Sequence, residues 1–178
     1  MNHSDKRLLQ VALKHVIVFT GIYLIGMMLY SLYLAMNFSE AYFPDPITHY
    51  VAEQSAAVLR ALDYPAFLTA HQTDPVLKMT IHGKYLVRIM EGCNGLAILI
   101  LNIAFIVAFA QRFKNTLLYL LATSALLYAI NIVRIALIST GIYHFPTYTT
   151  FLHEILFPLI IYGTVLILWW TWIKRALR

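Results

Sequence analysis

The sequence predicts an all-α integral membrane protein with about four transmembrane helices and a small extracytoplasmic insertion consisting of one helix plus a β-hairpin. Three observations predict this. Of 178 residues, 61% are hydrophobic, well above the roughly 45–50% of an ordinary soluble domain. Charged residues make up only 12%. Four apolar stretches, at about 16–36, 93–111, 116–134 and 154–173, each approach the ~20 residues that cross about 30 Å of hydrocarbon. At 178 residues the chain is read as a single membrane domain over 1–178.

The first stretch follows Lys6, Arg7 and Lys14. It exceeds the roughly 7–15-residue apolar core of a signal peptide and lacks a small-x-small cleavage site, so it reads as a retained anchor. Arg112 and Lys114 lie between the second and third stretches, and Lys174, Arg175 and Arg178 follow the fourth. With the N-terminal three, these are eight of the thirteen Lys and Arg residues on one side. By the positive-inside rule that side is cytoplasmic, with both termini on it. The net charge of +5 is thereby explained by topology, since the basic residues flank apolar runs rather than forming the soluble face that nucleic acid would need. The expectation is a multi-pass protein of the cytoplasmic (inner) membrane, whose partners include the lipid bilayer and no nucleic acid.

Residues 37–92 form the outer segment. Val51, Ala52, Ser55, Val58, Leu59 and Leu62 fall at helical spacing, with Thr48 as the expected N-cap. Residues 76–90 alternate around His82-Gly83 and predict a β-hairpin leading into Cys93. A hairpin edge there would suit an extended peptide. The second outer segment, 139–152, is short, aromatic and contains Pro146.

This topology sets three reactive residues at one membrane depth: Cys93 opening the second helix, Arg134 closing the third and His153 opening the fourth. Cys93 is the sole cysteine, so it forms no internal disulfide and is either a packing residue or a reactive thiol. A thiol attacks carbonyls as thiolate and needs a cation, a base or a helix N-terminus beside it. The helix expected to start at Cys93 would aim its free N–H groups at the sulfur and at a developing oxyanion, with Gly92 and Gly95 allowing close approach. Arg134 stands on the side disfavoured for basic residues, where an unpaired charge costs a few kcal/mol, and Asn131 shares its helical face. A guanidinium does not act as a base near neutrality, which leaves thiolate and oxyanion stabilisation. His153 suits proton transfer.

Duller readings exist for each. A cysteine among apolar residues packs well, an arginine snorkels to lipid phosphate, and a histidine sits comfortably at an interface. His49, His71, His82 and His144 read as surface or groove residues. The His153-Glu154 pair begins like H-E-x-x-H but has Phe157 where the second histidine belongs, so no metal site follows. Trp169, Trp170 and Trp172 read as an interfacial anchor belt.

Glu91-Gly92-Cys93-Asn94-Gly95-Leu96, Asn131-Ile132-Val133-Arg134-Ile135 and His153, in that order and at those helix ends, resemble the exosortase/archaeosortase family, over roughly residues 81–162. The chain is similar to its short, exosortase F-like forms, with Cys93-Asn94-Gly95 where C-S-G is common. The resemblance implies a membrane-embedded cysteine protease or transpeptidase with Cys93 as nucleophile, Arg134 as thiolate and oxyanion stabiliser and His153 as general acid/base, supported by Asn94, Gly95 and Asn131. It implies no metal or organic cofactor. The implied partners are secreted or envelope proteins bearing a C-terminal motif, an apolar helix and a basic tail. The competing readings are a small membrane transporter subunit and a non-catalytic membrane assembly or scaffold protein.

Overall fold

The protein is described by a computed structural model covering residues 3–36, 38, 43–71 and 74–176. Arg178 of the C-terminal basic cluster and residues 37, 39–42, 72 and 73 of the outer segment lie outside the described residues. In chain order the elements are α1 (His3–Leu34), α2 (Pro46–Ala61), β1 (Ala66–Ala70), β2 (Val76–Ile81), β3 (Lys84–Met90), α3 (Leu96–Ala108), α4 (Phe113–His144) and α5 (Phe157–Ala176). A 3₁₀ turn at Glu91–Cys93 joins β3 to α3. A π-helical turn at Phe151–Leu156 leads into α5.

Three helical segments, Asp5–Leu34, Phe113–His144 and Phe151–Arg175, are long and apolar enough to cross a membrane. The fourth apolar stretch forms a shorter helix. Its first residues are spent on the 3₁₀ turn and on Gly95, which caps α3 in the left-handed conformation at φ 79°. The remaining 13 residues extend about 20 Å, short of the hydrocarbon thickness. Helix α1 contributes no buried residue to its most apolar stretch, as expected where lipid rather than protein surrounds a helix that is apolar on all sides. It meets α3 at Gly26, where an added Cβ would lie 2.5 Å from Ile100 Cγ2. Asn102, fully buried on α3, donates from Nδ2 to Thr123 Oγ1 on α4 at 3.0 Å. That bond commits the amide nitrogen of Asn102 to pairing α3 with α4, while its Oδ1 is buried without a partner.

The helix of the third apolar stretch does not end at Arg134. Helix α4 runs on for ten residues to His144 and is about 48 Å long, some 18 Å more than a bilayer core. The cause is packing. Ile135, Ala136 and Ser139 are buried, and Ile135 and Ala136 join Val51, Ala52, Leu59, Met79 and Ile89 in the main hydrophobic cluster. The insertion therefore folds around the projecting end of α4, and most of the expected second outer loop is helical.

Within the insertion the expected helix and hairpin are both present. Helix α2 is capped by Asp45 rather than Thr48: Oδ1 of Asp45 accepts from Ile47 N and Thr48 N, each at 3.0 Å, and Pro46 occupies the first helical position, where its missing N–H costs nothing. The β2–β3 turn puts His82 at φ 49° and Gly83 at φ 74°, the two positive values that match a two-residue hairpin to strand twist. Strand β1 was not foreseen. It pairs antiparallel with β2 in a β1-β2-β3 sheet, and only Ala66 of its five residues is buried, so it leaves no alternation to read.

The tryptophans are another correction. Trp172 is 1% exposed and donates from Nε1 to Phe109 O at 3.1 Å, and Trp169 stacks on Phe105 with centroids 4.0 Å apart. Only Trp170 is exposed, beneath the Lys174 ammonium at 3.7 Å, in the manner of an interfacial anchor.

Candidate active site

Cys93 does not open a helix; it closes the 3₁₀ turn, three residues before α3 begins. The helix N-terminus is partly occupied, because Leu96 N donates to Asn94 Oδ1 at 2.9 Å. Asn94, 2% exposed, also donates through Nδ2 to Tyr30 Oη at 2.9 Å and Thr48 Oγ1 at 3.1 Å. Tyr30 Oη in turn donates to Glu91 O at 2.8 Å. These bonds tie the cysteine turn to α1 and α2 from one side. Tyr33, one turn further along α1, donates to Asp45 Oδ1 at 2.9 Å and extends the same polar layer. Burial, and after it the negative charge of Asp45, pushes the Glu91 carboxyl above its usual range.

From the other side, Asn131 of α4, 3% exposed, donates from Nδ2 to Cys93 O at 2.9 Å. Its Oδ1 accepts from Arg134 Nη1 at 3.4 Å. Asn131 thus spans the cysteine backbone and the guanidinium with opposite ends of one amide. An added Cβ on Gly95 would stand 3.1 Å from the Asn131 side chain, and φ 79° already disfavours any L side chain there. Glycine is the residue that lets this contact form.

Arg134 is half-buried in mid-helix, not at a helix end. Its Nε is buried without a hydrogen-bond partner, and no carboxylate pairs with it among the described residues. An unpaired guanidinium in a sparsely hydrated site attracts an anion strongly. His153 lies in the π-helical turn, with its side chain exposed. Cys93, Arg134 and His153, which come from three separate segments, line one narrow cleft. Its walls are completed by Val87, Arg88 and Ile89 of β3 and by Ile135 and Ile138 of α4. At about 10 Å³ the cleft has room for one water at most, so an occupant must widen it or lie across its mouth.

The sequence reading missed Arg88 at this cleft. It pairs with Asp74 at 3.2 Å, and the pairing crosses the sheet from a loop residue that no spacing rule connects to it. His144 stands apart from the cleft, with Nε2 2.8 Å from Tyr64 Oη and its ring edge-on to that of Tyr64.

Fold and site together define a multi-pass membrane protein with a free thiol, an unpaired arginine and a histidine gathered beside its small extramembrane layer. A family model for transmembrane exosortases matches residues 16–171, and the chain belongs to that family of membrane sorting enzymes. No curated protein and no solved structure matches the chain.

Proposed function

We propose that this protein is a cysteine protease or transpeptidase that cleaves C-terminal sorting signals of secreted or envelope proteins on the outer face of the cytoplasmic membrane. The shared cleft of Cys93, Arg134 and His153 is the observation that carries this reading. Residues 1–178 form one membrane domain with both termini cytoplasmic and the α2–sheet layer outside, as the Lys/Arg distribution favours.

In this mechanism the Cys93 thiolate attacks the substrate carbonyl carbon. Arg134 holds the thiolate and then the oxyanion, while Asn131 fixes the guanidinium relative to the cysteine backbone. When the tetrahedral intermediate collapses, the C–N bond breaks, and His153 delivers the proton that the departing amine requires. The acyl group remains on sulfur as a thioester until an amine or water displaces the thiol. Because β3 lines the cleft and lies at the edge of the sheet, an extended substrate segment paired along it would arrive at Cys93. A substrate anchored by its own apolar helix is confined to the same plane, which raises its effective concentration.

The test is to map C-termini of envelope proteins in cells with and without this chain. A set of proteins that loses an apolar helix and basic tail only when the chain is present supports the proposal. If no C-terminus depends on the chain, the scaffold or transporter reading replaces it. Two finer expectations accompany this. A membrane-impermeant maleimide should label Cys93 in cells whose outer face is accessible; labelling only after permeabilisation would invert the topology. His153→Ala should reduce processing by about 10²–10⁴-fold, the usual reach of general acid–base catalysis, while His144→Ala should leave it intact. The opposite pattern would move the proton-transfer role to His144.

A further inference from the structure

A cavity of about 470 Å³ lies at the opposite end of the bundle from Cys93, between the start of α4 and the end of α5. Its volume falls within the about 300–1,000 Å³ range of small-molecule sites. One part of its wall is polar: Gln111, Asn115 and Arg175. Another is apolar: Leu118 and Ala122 on α4. Nε2 of Gln111 is buried with no hydrogen-bond partner, although its backbone N–H is fixed by Thr116 Oγ1 at 3.0 Å. Arg175 pairs with no carboxylate among the described residues. Its guanidinium lies 5.2 Å from the ring centroid of Tyr119, which holds it over the cavity. The Tyr119 hydroxyl is already engaged, donating to Leu168 O at 2.7 Å, which leaves the Arg175 guanidinium as the charged donor on the wall, beside the Gln111 and Asn115 amides.

We propose that this cavity binds the phosphate head group of an anionic phospholipid, with the acyl chains descending along Leu118 and Ala122. Arg175 has no carboxylate partner among the described residues, and a guanidinium matches a phosphate bidentately, with the Gln111 and Asn115 amides able to donate beside it. The apolar wall beginning beside those donors fits the junction between head group and acyl chain, which free phosphate lacks. Its position at two helix ends fits the depth at which head groups lie. The basic tail proposed for substrates carries the wrong charge for this end. This site is independent of the cysteine chemistry and stands whether or not that chemistry does.

Native mass spectrometry of the full chain in neutral detergent tests the proposal, with dioleoyl phosphatidylglycerol, dioleoyl phosphatidylcholine and inorganic phosphate added separately. The native chain should retain one phosphatidylglycerol in preference to phosphatidylcholine and should not hold inorganic phosphate. Arg175→Gln should weaken phosphatidylglycerol retention about fivefold, the scale set for one basic residue at an anionic surface. Gln111→Leu should weaken it too, without altering net charge, and Arg112→Gln, which removes a charge outside the cavity wall, should not. Equal retention of the two lipids would overturn the proposal, and so would equal losses from Arg175→Gln and Arg112→Gln. Retention of inorganic phosphate alone with the same dependence on Arg175 would overturn the lipid and leave a soluble anion as the ligand.

Discussion

Cys93→Ala should abolish C-terminal processing while leaving the protein in the membrane at its normal level. Removing the nucleophile from a covalent mechanism costs on the order of 10⁶ in turnover, since the other groups then have no attacking atom to serve. The substitution is a clean probe here because the hydrogen bonds that hold the turn avoid the thiol, which only packs against the edge of the hydrophobic cluster. Asn131 bonds the Cys93 carbonyl, Tyr30 bonds the Glu91 carbonyl, and Asn94 anchors through its own side chain. Alanine keeps all of these. Substrate proteins carrying their full tail should therefore accumulate beside a normally abundant Cys93→Ala chain. Processing at the native rate would make Cys93 a packing residue and return the scaffold reading to first place. Loss of the chain itself from the membrane would show that the half-buried thiol serves packing.

The parts of this fold that the sequence made legible are those governed by local rules. Apolar length announced the spanning helices, and alternation around His82-Gly83 announced the hairpin. Where two residues both satisfy a local rule, periodicity does not choose between them. Thr48 and Asp45 are both good N-caps by type, and the choice turned on Pro46, which belongs in the first turn. Arg134 ends an apolar run without ending its helix. A charge marks a change of surroundings, and the backbone continues through it when the next residues have something to bury against. The partner in this case is the α2–sheet cluster, distant in sequence and invisible to periodicity. Long-range side-chain bonds were equally hidden: nothing local links Asn94 to Tyr30, 64 residues away. The three candidate residues nonetheless meet at one cleft, because their meeting depends on the connectivity and direction of the helices rather than on where each helix starts and stops.

Arg134→Lys should retain a positive charge and still lose most activity. The native guanidinium reaches Asn131 Oδ1 through Nη1, leaving the other donors of a rigid planar fork for the cleft. Lysine places a compact, strongly hydrated ammonium on a flexible stem, which cannot hold Asn131 and an oxyanion in fixed relation. Loss of an oriented oxyanion donor costs on the order of 10²–10³ in kcat. Because that interaction grows only as charge develops, kcat should fall while KM changes little. A rise in KM with kcat preserved would instead make Arg134 a ground-state binding residue for the substrate. Near-native turnover would show that charge alone suffices, in which case Asn131→Leu should be equally harmless. If the planar geometry matters, Asn131→Leu should reproduce much of the Arg134→Lys loss, because the Asn131 side chain is bonded to both the guanidinium and the Cys93 backbone.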